Sequence, residues 1–218
     1  MRHTSSIAQP EPIAAGGPAA RIVRLRDGRS VAVRVARSED VSAVQRFVRG
    51  LSDRSRYNRF FAPVRELAPD QLERVTRSRP PGELALVGET TEGGGSRIVA
   101  MAQYAGCEPL DAEFAVVVDD AWQRQGLGIE LLGVLAEHSA RAGLATFAGF
   151  VLADNWPMLA LLARLDCELV TDPNPYVIRA VKHLDAPEVG VLSSTAMPGM
   201  GNAPSARGGS HQPLVEQA

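Results

Sequence analysis

Two features of the sequence have residue types and spacing suited to chemistry. The first is a single carboxylate, Glu113, at the start of the otherwise apolar run Phe114–Val118. A carboxylate held in apolar surroundings is a candidate proton acceptor, and partial burial would raise its pKa toward a useful value. The alternative is an ordinary surface glutamate at a strand edge. The second feature follows directly. Val116, Val117 and Val118 lead through Asp119–Trp122 into Gln123, Arg124, Gln125, Gly126, Leu127, Gly128 and Ile129, where a long helical pattern begins. A strand that ends at a glycine-bracketed helix start presents free backbone N–H groups and the positive end of a helix dipole. Glycines there let a diphosphate approach the main chain closely. The segment lacks the Gly-Lys-Ser/Thr ending of a P-loop and the three spaced glycines of the dinucleotide fingerprint. Spacing alone leaves a plain glycine-containing helix start equally open.

Other candidates are weaker. Asp111 lies at the edge of the same strand as Glu113. Cys107 and Cys167 have no activating neighbour in sequence, and free cysteines are commonly buried. Trp122 is expected to pack beside the glycine loop. Tyr57 and Phe60 suit either an acceptor wall or the core, and Tyr176 is expected in the core. The four histidines are scattered, so no metal cluster is drawn from them.

The elements that must position these residues can be read from periodicity. Arg21–Leu25 and the alternating Val31, Val33 and Val35 flank an Asp27-Gly28 hairpin signal. Ser38 is placed to cap a helix with the stripe Val41, Val44, Phe47 and Val48. A broken helical segment over 51–61 follows, then a helix starting at Pro69. Strands are expected over 84–88, 98–104 and 113–118, with a turn over 90–96. A helix over 126–142 is stopped by Gly143, and a doubly covered strand spans 145–152. Asn155 caps a further helix, and strands over 169–171 and 176–181 close the domain. The pattern is α/β: a mixed central sheet of about seven strands with helices on both faces. Residues 1–19 and 187–218 are rich in small and turn-forming residues and read as disordered tails around a domain over 20–186.

Composition sets the bounds. The 218 residues carry 23 Lys plus Arg against 25 Asp plus Glu, and Lys182 is the single lysine. Residues 21–79 hold 15 Arg against 7 acids, while 80–185 hold 6 basic residues against 15 acids. The basic third lacks the aromatic interleaving of a single-strand groove, so nucleic acid is not the expected partner. The acidic remainder suits a cationic substrate. Two cysteines make no disulfide framework, no apolar run spans a membrane, and no signal peptide is seen. The expected location is the cytoplasm.

The ordered set of features resembles a known family. Glu113 to Cys167 is similar to the core of a GCN5-related N-acetyltransferase (GNAT). Gln123, Gly126 and Gly128 match the Gln/Arg-x-x-Gly-x-Gly/Ala signature, and Thr146–Leu152 and Asn155 fall where that family has them. The resemblance implies a GNAT fold whose two central strands splay to admit acetyl-CoA. It places the pyrophosphate on the loop Gln123, Arg124, Gln125, Gly126, Leu127, Gly128 and Ile129. It places the pantetheine arm along Val116, Val117 and Val118, with Asn155 on the other side. A narrower resemblance covers Leu51–Phe61 and Ala112–Ala115, which look like bacterial protein lysine acetyltransferases of the Pat type. It implies a protein substrate with an exposed lysine, such as an acyl-CoA synthetase, with Glu113 as general base. About 20 residues precede the domain over 20–186, so a regulatory cyclic-nucleotide domain is not expected ahead of it. The tyrosine that serves many family members as general acid is replaced by Leu162, and the glycine and phenylalanine after that helix by Asp166 and Cys167. Three functions stay open: protein lysine acetyl transfer, small-molecule amine or aminoglycoside acetyl transfer, and a non-catalytic acyl-CoA sensor. Monomer and homodimer are both open.

Overall fold

A computed structural model describes residues 19–91, 94–107 and 111–184. The expected tails lie almost wholly outside these residues. Arg21–Arg24 (β1) and Ser30–Val35 (β2) form the first hairpin. Its turn needs Gly28, whose φ is 88°, so that the Leu25 N–H can reach the Arg29 carbonyl at 2.8 Å. Val41–Gly50 (α1), Asp53–Phe60 (α2) and Pro69–Thr76 (α3) follow. The expected cap at Ser38 is displaced. Ser38–Asp40 is a 3-10 turn, and Asp40 stands at the start of α1. The cause lies on β2: Arg34 grips the Asp40 carboxylate at 2.7 and 2.8 Å, while the Arg37 N–H donates to it at 2.8 Å.

Glu83–Thr90 (β3), Arg97–Cys107 (β4) and Asp111–Val118 (β5) come next, then Leu127–Arg141 (α4), Thr146–Leu152 (β6) and Trp156–Ala163 (α5). Glu168–Thr171 (β7) and Val177–His183 (β8) close the described chain. The sheet has eight strands in the order β1-β2-β3-β4-β5-β6-β8-β7. The expected count of about seven falls one short because the first hairpin adds two strands.

Alternation along the strands builds two cores. Leu84, Leu86, Tyr104 and Phe114 point to the α4 and α5 side, and Ala85, Val87, Met101 and Val117 to the α1 and α3 side. Each large apolar side chain fully buried contributes roughly 1.5–3 kcal/mol. The near-continuous burial of β3 and β4 follows from cover on both faces. His138 of α4 is structural. The Tyr104 hydroxyl lies 2.7 Å from both the Pro81 carbonyl and His138 Nδ1. Pro81 can only accept, so Tyr104 donates to it and the His138 Nδ1–H donates to the tyrosine oxygen. Burial pushes the Tyr104 hydroxyl up to about 12.

One pairing shapes the molecule. All neighbours are antiparallel except β5 and β6, which run parallel and pair only over Asp111–Glu113 and Thr146–Ala148. β4 holds β5 as far as Val118, and β8 holds β6 as far as Leu152. Beyond Glu113 the two strands therefore part, and their facing edges lack a ladder. The Phe114 ring sits at the fork, stacked on Phe147 with centroids 4.5 Å apart and lying over Gly149.

Candidate active site

The fork opens into a cavity of about 700 Å³. Glu113–Val118 of β5 form one wall and Phe150 and Val151 of β6 the other. Ser55, Asn58 and Arg59 come from α2, the glycine loop from below, and Asn155–Met158 with Leu161 and Arg164 from α5. Charged residues on the lining are Arg26, Arg59, Arg124, Arg164 and Glu113. The acidic second part of the sequence thus contributes a single carboxylate to a cavity that is otherwise cationic.

The loop between β5 and α4 is held open by tertiary bonds. Asp119 accepts from the Ala121 N–H and starts a 3-10 turn at Asp120–Trp122. The Asp120 carboxylate takes the Ser52 N–H at 3.0 Å, the Ser52 hydroxyl at 2.7 Å and the Ser55 hydroxyl at 2.7 Å. Burial opposes ionisation of Asp120, but these bonds outweigh it and hold the carboxyl below its ordinary range. Ser52 also caps α2, accepting from the Ser55 N–H. The Gln123 amide donates to the Ser55 hydroxyl at 3.1 Å and the Val118 carbonyl at 3.0 Å. Gln123 therefore ties the loop to α2 and β5.

Gly126 starts α4 with φ of 98°, a conformation that favours glycine. The amides of Leu127, Gly128 and Ile129 belong to the first turn, where a helix supplies no acceptors. Gly128 lets α5 close in: an added Cβ would lie 3.0 Å from Leu161 Cδ1 and 4.0 Å from Val118 Cγ2. Trp122 is buried under the Arg29 guanidinium, 3.8 Å from its ring centroid. Its indole N–H has no hydrogen-bond partner among the described residues. Across the fork, Asn155 caps α5 as expected and accepts from the Met158 N–H at 3.4 Å.

Glu113 is 7% exposed and lies opposite Ala105, on the sheet face that α2 covers. Arg59 of α2 is buried in the same cavity, at 8% exposure. Burial brings its guanidinium down to about 10, and the Glu113 charge opposes that fall. Asp111 accepts from the Thr146 hydroxyl and does not line the cavity. Burial, then the charges of Glu113 and Asp111, push the Cys107 thiol up. Burial also pushes up Cys167. Neither cysteine is placed as a nucleophile.

Of the cofactor-loop residues expected from sequence, Val116, Val117, Val118, Gln123, Arg124, Gly126, Gly128, Ile129 and Asn155 converge on the cavity. Gln125 is at its back, where its carbonyl accepts from the Arg26 N–H at 3.2 Å. The Leu127 side chain is in the core, at 1% exposure. Leu162 is fully buried, so no hydroxyl occupies that position. Tyr176, expected in the core, is 76% exposed because the chain turns there from Asn174 into β8. Phe60 is in the core and Tyr57 half-exposed. Asp166 adopts φ of 56°, ending α5 where the family has glycine. Asp120, Ser55 and Arg59 were not singled out from sequence. The segment Leu51–Phe61 that carries two of them was the available signal.

No protein-family model matches the chain. Acetyltransferase PA5475 of Pseudomonas aeruginosa is 30% identical over 151 residues, 69% of this chain and 81% of that protein. The chain belongs to the GCN5-related N-acetyltransferase superfamily. Among solved structures, the GNAT domain of S. lividans PAT matches with a TM-score of 0.69 at 28% identity, over 76% of this chain and 97% of that domain. A cAMP-binding acyltransferase from Mycobacterium smegmatis shares the fold at 24% identity and a TM-score of 0.52, with 81% of this chain and 50% of that one covered. The fold and these relatives support a GNAT-type, acyl-CoA-dependent transfer. No helix among the described residues is long and apolar enough to cross a membrane.

Proposed function

We propose that this chain transfers an acetyl group from acetyl-CoA to a lysine side-chain amine of a protein, with Glu113 as general base. One observation carries the proposal: a buried carboxylate stands at the fork of β5 and β6, in a cavity that ends on a glycine-gated helix start. The residues present suit acetyl-CoA. The unpaired edge of Val116–Val118 offers peptide groups to a pantetheine arm. The first turn of α4, the unpartnered Trp122 N–H and the cationic lining suit a diphosphate. Asn155 bounds the opposite side.

Acetyl-CoA, when bound, supplies the activated thioester. Glu113 removes a proton from the acceptor ammonium, directly or through water, and so frees the lone pair that would form the new C–N bond as the thioester C–S bond breaks, with CoA leaving as a thiolate that takes a proton from solvent. No side chain becomes acylated, which agrees with the raised thiols of Cys107 and Cys167. The match of Leu51–Phe61 and Ala112–Ala115 to Pat-type enzymes points the acceptor toward proteins, an acyl-CoA synthetase among them, in the cytoplasm.

The test is incubation of the full chain with acetyl-CoA and purified acyl-CoA synthetase, read as acetyl-lysine peptides by mass spectrometry. Self-modification is easily separated, because Lys182 is the one lysine and its Nζ donates to the Leu165 carbonyl at 2.8 Å. Acetylation no faster than the enzyme-free rate overturns the protein acceptor. Robust turnover of a small amine or aminoglycoside in its place makes this a small-molecule enzyme. Acetyl-CoA binding with no transfer to either makes it a sensor.

A further inference from the structure

The geometry points to Arg59 as the positioning residue that keeps Glu113 in its carboxylate form inside the cavity. The inference rests on the role given to Glu113 above. A carboxylate taken out of water drifts toward its neutral form unless a cation compensates it. A protonated Glu113 cannot accept a proton, so a base at this place needs a compensating charge.

Among the described residues, the groups that face Glu113 come from five elements. From β4 comes the Cys107 thiol, kept neutral by burial. From β5 itself comes Asp111, two residues away on the same face, whose negative charge works against a second carboxylate. The Thr146 hydroxyl of β6 is committed to Asp111. From β8 comes Arg179, near enough to act on Cys107 but exposed to solvent, so that water and salt screen it. From α2 come Asn58 and Arg59. Arg59 alone of these combines a positive charge with a buried position on the cavity wall, where a charge acts with little screening.

Its surroundings suit this use. Among the described residues the Arg59 Nε–H has no hydrogen-bond partner, and the guanidinium lies over the Phe60 ring at 4.8 Å. A buried guanidinium with an unmet N–H is costly unless its charge is used. Burial lowers Arg59 only to about 10, so it stays cationic at neutral pH. Ser55 stands one helical turn before Arg59 on the same face of α2, and its hydroxyl is bonded to Asp120. The anchoring of α2 to the cofactor loop thereby fixes where the Arg59 charge sits relative to Glu113.

The experiment is a ¹³C titration of the side-chain carboxyl of Glu113 in the full chain, assigned by the signal lost in Glu113→Gln. Arg59→Met removes the charge and keeps an apolar stem. Arg59→Gln is a second neutral variant should the first not fold, and Arg59→Lys restores the charge. The neutral variants are expected to shift the Glu113 midpoint upward by about one unit or more, a tenfold gain in proton affinity. The lysine variant is expected within about half a unit of wild type. The acidic limb of kcat/KM should move with the midpoint. An unchanged midpoint in a folded neutral variant overturns the inference. A midpoint that moves while the pH limb of activity does not upholds the role of Arg59 and removes Glu113 as the base.

Discussion

Gly149 lies under the fork that makes the cavity, and its replacement by alanine has a calculable consequence. A Cβ there would stand 2.7 Å from Phe114 Cε2 and Cζ and 3.0 Å from Cδ2. The ring is backed by Phe147 at 4.5 Å between centroids, so it has little room to retreat. Overpacking of this kind costs about 1–3 kcal/mol. At roughly 2–4 °C per kcal/mol for a chain of this size, Tm should fall by several degrees. The contact has two partners, so the cost should depend on both. Phe114→Leu removes the ring atoms that collide, and Gly149→Ala should then be cheaper by about 1 kcal/mol or more. The assay is urea denaturation of wild type, both single variants and the double variant, with m compared throughout. Additivity within about 0.3 kcal/mol would refute the reasoning, since it would mean that the ring and the glycine do not press on each other.

Three further outcomes follow from the same structure. Asp120→Ala removes the acceptor of three hydrogen bonds that join α2 to the cofactor loop. After discounting for its partial exposure, about 1.5 kcal/mol of loop anchoring is lost, and calorimetry should find acetyl-CoA bound roughly tenfold more weakly. Burial works against ionisation of Asp40, but the Arg34 hydrogen bonds outweigh it and hold the carboxyl low. Its stabilising share is therefore present above the ordinary aspartate range and lost as pH falls through the lowered value. Arg34→Met should destabilise by roughly 3 kcal/mol at pH 7, and by less at acid pH where Asp40 is neutral; denaturation midpoints at the two pH values check this. Replacing Cys107 and Cys167 together by alanine should leave kcat/KM within about threefold, since neither thiol is ionised or used.

How much of this was legible in the sequence divides by the range of the interaction. The run from Glu113 through Gly126 and Gly128 into α4 was readable because strand, turn and helix start are local, and the positive φ of Gly126 is a demand that its own residue type announces. Asn155, Pro69 and Gly143 were readable for the same reason. Ser38 misled because Arg34, six residues back on the neighbouring element β2, draws Asp40 into the position the helix pattern alone gave to serine. Asp120 and Arg59 stayed silent: one is a loop carboxylate and the other an arginine among many. Their meaning comes from partners more than fifty residues away, Ser52 and Ser55 for Asp120 and Glu113 for Arg59. Tyr176 was misplaced because an aromatic beside a strand reads as core, whereas the turn from Asn174 leaves it in solvent.

The central claim is that the Glu113 carboxylate takes the proton from the acceptor amine. Glu113→Gln keeps the size of the side chain and removes its basicity, while the cofactor surface from Val116 to Gly128 is untouched. The measurement is kcat/KM across pH for wild type and variant on the same acceptor, with acetyl-CoA binding determined separately. A fall of about 10² or more near neutral pH, a flattened acidic limb and an unchanged acetyl-CoA affinity are expected. Near wild-type turnover with the acidic limb intact would contradict the claim and pass the proton to Asp111 or a water chain.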